Sequence, residues 1–100
     1  GAVAEFWGVV REREGERDLE GLWYEAYEPM ALRLLSRMFA ELAQKHACQS
    51  VTFVHRLGWV PVGEGSLFVR VQSSHRREAF AFLSEAIDRL KMDIPIWKKA

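Results

Sequence analysis

The chain has 100 residues and is 49% hydrophobic, enough apolar material for one core and one domain, and no apolar run reaches the length of a membrane span. Its 14 basic and 14 acidic residues cancel, which excludes a broad attraction to nucleic acid or anionic membranes and leaves anion recognition to local clusters. The single cysteine, Cys48, excludes an internal disulfide and a cysteine-rich zinc site, and no His and carboxylate spacing suggests another metal.

Gly1-Ala2-Val3 is already strand-like, with no starting Met and no signal peptide. A trimmed piece of a soluble, cytoplasmic protein is expected. The run AVAEFWGVVR, rich in Val and aromatics, predicts a strand ending near Arg11. EREGERD follows without an apolar anchor and reads as a solvated, mobile loop around Gly15. LEGLWYEAY predicts a second strand to Tyr27, and Pro29 suits the first turn of a helix. From Met30 the apolar residues Ala31, Leu34, Leu35, Met38, Phe39 and Leu42 recur at helical spacing, a core stripe. Cys48, beside a strand start, is expected to be a half-buried, inert thiol.

SVTFVHRL predicts the next strand, and Gly58 separates it from WVPV, where Pro61 indicates a sheet edge or a bulge. The turn GEG leads into SLFVRVQS, with Leu67, Val69 and Val71 on one face. A second helix is predicted from about His75 to Met92, burying Phe80, Leu83, Ile87 and Leu90. The order β-β-α-β-β-β-α, with hairpins among the later strands, predicts one compact α+β domain over 1–100. Its largely antiparallel sheet is covered by two main helices. Trp7, Trp23 and Trp59 are expected to be core or interface material.

Cations stand out at two places. In SSHRREAF, Ser74 is a plausible N-cap, which puts His75, Arg76 and Arg77 in a first turn whose dipole prefers acidic side chains. Two readings stay open: a solvated basic turn, or free N–H groups joined by cations as an anion site. At the other end of that helix, Lys91, Lys98 and Lys99 bracket Ile94-Pro95-Ile96-Trp97. These lysines either ease the helix C-terminus in solvent, or Trp97 anchors the segment and Pro95 stiffens it so that Lys98 is held near Lys91. Arg11 is a further cation at a strand end, a position where arginines are usually only solvated. His55-Arg56 lies in a predicted strand whose alternation sends the two side chains to opposite faces, and His55 reads as a satisfied structural histidine. No catalytic triad, P-loop or dinucleotide glycine motif is present, and no cofactor is indicated.

The motifs FWGVVR, YEAYEPMA, VHRLGWVPVGEGS, SSHRREAF and IDRLKMDIPIWKK occur in an order that resembles the large, catalytic subunit of molybdopterin synthase, the MoaE type. The resemblance covers nearly the whole chain, and members of that family extend further at both ends. It implies an α/β-hammerhead-like fold and a homodimer flanked by two small ubiquitin-like sulfur-carrier subunits. The carrier's C-terminal Gly-Gly thiocarboxylate would enter a pocket and give sulfur twice to cyclic pyranopterin monophosphate, forming the molybdopterin dithiolene. An enzyme whose partner brings the sulfur needs no cysteine of its own. By motif match, Lys91 and Lys98 are expected to be catalytic, with Phe6, Arg11, His75 and Arg76 binding substrate. The rival reading is a non-catalytic module that grips an anion or a peptide terminus, and only turnover separates the two. A helix rises about 1.5 Å per residue, so His75 and Lys91 stand roughly 24 Å apart within one chain. A two-fold dimer with shared pockets is the economical way to bring them together.

Overall fold

The computed structural model describes residues 1–99. In chain order its elements are β1 (Ala2–Val9), β2 (Arg13–Glu14), β3 (Arg17–Asp18), β4 (Gly21–Ala26) and α1 (Glu28–Lys45). There follow β5 (Cys48–His55), β6 (Gly58–Pro61), β7 (Gly65–Ser73), α2 (Arg76–Asp93) and β8 (Ile96–Lys99). Every strand pairing is antiparallel, in two three-stranded sheets ordered β1-β7-β5 and β6-β4-β8 and the small hairpin β2-β3. The architecture is the α+β class predicted, with the antiparallel strands divided over two three-stranded sheets and one two-stranded hairpin.

Both helices lie on one face of β1-β7-β5, α2 against β1 and β7 and α1 against β5. Period-two alternation in β7 turns Leu67, Val69 and Val71 toward them, as predicted. Between sheet and helices lie Leu35, Met38, Phe39 and Leu42 of α1 with Ala79, Phe82 and Ala86 of α2. Phe39 stacks on Phe53 and Phe82, with ring centroids 4.5 and 6.0 Å away. A second, smaller cluster of Val10, Leu22 and Val60 lies against β4 and β6.

Several local expectations are corrected. Phe80 is 60% exposed: the buried stripe of α2 runs through Ala79, Phe82 and Ala86, and Phe80 sits one residue, about 100°, away from it. Met30, in the first turn of α1, is also exposed, because the helix meets the sheet only from Ala31 onward. Of the two places expected for Trp7, Trp23 and Trp59, core or interface, the core is excluded: they and Trp97 keep 46% to 58% of their surface exposed. Trp23 faces Trp59 across β4 and β6. Gly21 is required there, since a Cβ would come within 2.6 Å of both the Trp59 ring and the Val60 carbonyl oxygen.

Residues 12–18 are not a loop. They form the hairpin β2-β3, with Gly15 at φ +66 in its turn and an Arg13–Asp18 ion pair at 3.3 Å across it. Leu19 N–H donates to the Glu12 carbonyl and its side chain packs on the smaller cluster, the anchor that a reading of the charged run alone misses. The tail differs too. Asp93 ends α2 ahead of Pro95, and residues 96–99 continue as β8 along β4, with Lys98 opposite Tyr24. Backbone pairing holds this segment; a buried Trp97 does not.

The two helices are tied where α1 ends. Glu85 accepts a hydrogen bond from Lys45 Nζ at 2.9 Å, and His46 Nε2 lies 2.8 Å from the same oxygen. The Lys45 hydrogen bond, then that of His46, holds the Glu85 carboxyl below the usual carboxylate range. A depressed carboxyl stabilises the fold above its unfolded value and loses that contribution as pH falls through its folded value. Glu85→Gln is therefore expected to lower the melting temperature at pH 7, with the gap to wild type closing once pH drops below the ordinary glutamate range. Paired thermal melts from pH 7 to 3 check this, and a gap that stays constant would contradict it.

Candidate functional site

Four of the six predicted site residues line one cavity of about 620 Å³: Phe6, Arg11, Lys91 and Lys98. They come from three parts of the fold: β1 and its end, α2, and β8. Phe6 sits on β1 and packs partly on the main core. Arg11 follows the end of β1, where Val10 is pinned by a hydrogen bond from its N–H to the Glu64 carbonyl. Lys91 lies in the last turn of α2, a position its charge favours at the negative end of the helix dipole. Lys98 comes from β8, whose alternation sends Lys99 elsewhere, to Glu25 at 3.1 Å. That contact holds the Glu25 carboxyl below its usual range.

The lining is mixed: Leu67, Ile87, Leu90 and Ile96 give it an apolar stretch, Ser66 is polar, and Trp7 and Trp97 also border the cavity. Charges beside low-dielectric walls act on an anion more strongly than charges in open water. Among the described residues neither Arg11 nor Lys91 takes part in an ion pair, whereas Lys98 contacts Glu14 at 2.9 Å. The cavity can therefore hold a ligand with an apolar body and negative charge.

Tyr24 and His55 line the same cavity and were not singled out as site residues from the sequence. Their rings meet edge to face at 5.2 Å. Burial pushes the His55 pKa down, favouring the neutral ring, and its Nδ1 donates to the Arg56 carbonyl at 2.8 Å. The structural role expected for His55 is thus met, with Nε2 left as an acceptor. Alternation along β4 was visible in the sequence, but only the unforeseen pairing with β8 brings Tyr24 beside Lys98.

His75 and Arg76 do not reach this cavity. With Arg77 and Ser74 they line another, of about 830 Å³, at the opposite end of α2. The expected Ser74 cap is not formed: His75 is the N-cap residue and lacks a side-chain cap, while Ser74 Oγ accepts from Gln49 Nε2 at 2.9 Å. Arg76 and Arg77 therefore open the helix beside free backbone N–H groups. His75 Nδ1 is 3.9 Å from Glu78. Cys48 is half-buried and its thiol faces the carbonyls of His46 and Glu78. Burial pushes its pKa up, in keeping with an inert thiol.

A family model described as MoaE protein matches residues 1–93. This chain belongs to the MoaE family. The resemblance carried by its motifs is thereby borne out. Among its relatives is the molybdopterin synthase catalytic subunit of Bacillus subtilis (strain 168), 40% identical over 99 residues, which span 99% of this chain and 63% of that protein. Molybdopterin synthase from Staphylococcus aureus superposes with a TM-score of 0.92 at 38% identity, covering 99% of this chain and 72% of that one. One chain of a complex of subunits 1 and 2 of molybdopterin-converting factor from Helicobacter pylori 26695 superposes with a TM-score of 0.74 at 29% identity, covering 98% and 64%. This MoaE-family chain spans between half and two thirds of the length of the first curated relatives it matches, 50% to 63%. Among the described residues no helix is long and apolar enough to cross a membrane.

Proposed function

We propose that this chain is the catalytic subunit of a cytoplasmic molybdopterin synthase, a single-domain sulfurtransferase. It receives the C-terminal Gly-Gly thiocarboxylate of a small ubiquitin-like carrier and passes its sulfur to cyclic pyranopterin monophosphate. The observation that carries this reading is the cavity where Arg11, Lys91 and Lys98 accompany an apolar stretch of lining and Phe6. Sulfur transfer needs that combination. The thiocarboxylate and the phosphate are anions, and cleavage of the acyl–sulfur bond by water builds negative charge on the carbonyl oxygen. In this reading Lys91 acts at that carbonyl and Lys98 binds the thiocarboxylate or substrate. Two glycines let the carrier's backbone pass beside Phe6.

His75 and Arg76 belong to the same reaction in a homodimer, where the start of α2 from one subunit meets the Lys91 end of the other. Two carriers would then complete a heterotetramer. The relatives' names and the two-subunit complex among the structural neighbours support the assignment. The test is to mix this chain with thiocarboxylated carrier and cyclic pyranopterin monophosphate and assay for dithiolene. Dithiolene formation and co-elution of the two proteins at micromolar concentration are the expected results. Stable binding without turnover would favour the anion-binding module instead.

A further inference from the structure

The proposed function leaves Glu14 without a role, yet Glu14 Oε1 lies 2.9 Å from Lys98 Nζ. We propose that Glu14 is an internal anion that competes with the ligand for Lys98 and so sets the affinity of the cavity for anions. This rests on the reading above only in taking Lys98 as an anion contact.

Lys98 borders two cavities. One holds Arg11 and Lys91; the other, of about 400 Å³, holds Glu14 and Arg17. Its ammonium ends a flexible stem, and the two side chains keep 44% and 38% of their surface exposed, so burial locks neither. The pair can open without stranding a buried charge.

Glu14 is delivered to this spot by built structure. It lies on β2, opposite Arg17, in the hairpin closed by the Gly15 turn and the Arg13–Asp18 ion pair. The charged run 12–18 thus has a purpose that neither the main core nor the cavity's other residues explain. Of the three cations around the cavity, Lys98 alone is already neutralised among the described residues, while Arg11 and Lys91 face no carboxylate. An anion that engages all three must take Lys98 from Glu14. Removing the competitor frees that lysine.

An exposed ion pair of this kind is worth a factor of about two to five in affinity. The experiment titrates inorganic pyrophosphate into the full chain at low ionic strength, following fluorescence of Trp7 and Trp97 beside the cavity. Wild type, Glu14→Gln, Lys98→Gln and the double variant are compared, with melting curves to show that each is folded. Glu14→Gln should tighten binding about two- to fivefold in the wild-type background and leave the Lys98→Gln background unchanged. Unchanged or weaker binding by Glu14→Gln would overturn the proposal, as would an equal gain without Lys98 or no pyrophosphate binding at all. Sulfur transfer is assayed separately. If it is absent while the Glu14–Lys98 coupling is present, the proposed function fails and this inference stands.

Discussion

Lys91→Ala is expected to lower dithiolene formation about a hundredfold while leaving the melting temperature near that of wild type. The two halves of this expectation have separate physical grounds. Lys91 is exposed in the last turn of α2 and forms no ion pair among the described residues, so the fold loses only a favourable helix-end charge. A change of this size is a few tenths of a kcal/mol, up to about 1 kcal/mol. The reaction loses more. In the proposed reaction Lys91 lies beside an apolar stretch of the cavity lining and faces the charge that develops on the reacting carbonyl, a contact expected to contribute about 3 kcal/mol to the barrier. Single-turnover assays with saturating carrier separate the chemical step from carrier binding, and the loss should appear in the rate constant. A folded Lys91→Ala protein with near-normal rates would remove Lys91 from the chemistry.

The sequence made the core legible because burial imposes a period on it. Alternation in 65–73 and the stripe Ala31-Leu35-Met38-Leu42 read directly as a sheet and a helix facing each other. Phe6, Arg11, Lys91 and Lys98 were legible as candidates through motif order, and the structure gathers those four into one cavity. What failed to show was pairing between short segments. IWKK is four residues long and ends in two lysines, so nothing local distinguishes a strand from a polar tail; β4 supplies the missing half. The hairpin around Gly15 hid for the same reason, as two residues a side leave no hydrophobic period to detect. Trp97 misled by its size. A large aromatic suggests an anchor, yet what holds the tail is backbone pairing with β4 together with Ile94 in the main core and Ile96 packed on it. Tyr24 followed that error, since its place beside Lys98 depends on β8.

Mixing two inactive proteins, His75→Ala and Lys91→Ala, is expected to restore about a quarter of the wild-type activity. The reason is the length of α2. Lys91 follows His75 by 16 positions on the sequence, and a helical rise of about 1.5 Å per residue sets them roughly 24 Å apart. The structure agrees, with His75 and Arg76 on one cavity and Lys91, Lys98 and Arg11 on another. A pterin phosphate is too small to touch both. If all five of these residues serve one reaction, two chains must supply them, and a two-fold axis that brings the start of one α2 to the end of the other creates two equivalent shared pockets. In a His75→Ala homodimer each pocket lacks its histidine, and in a Lys91→Ala homodimer each lacks its lysine. A mixed dimer concentrates both defects in one pocket and leaves the other whole. Random exchange makes about half the dimers mixed, each with one working pocket of two, hence about one quarter. Exchange is verified by mass spectrometry of differently tagged chains before the assay. Verified mixed dimers with no recovered activity would show that the two ends of α2 do not serve one pocket. Full activity in the His75→Ala protein alone would remove the start of the helix from the reaction altogether.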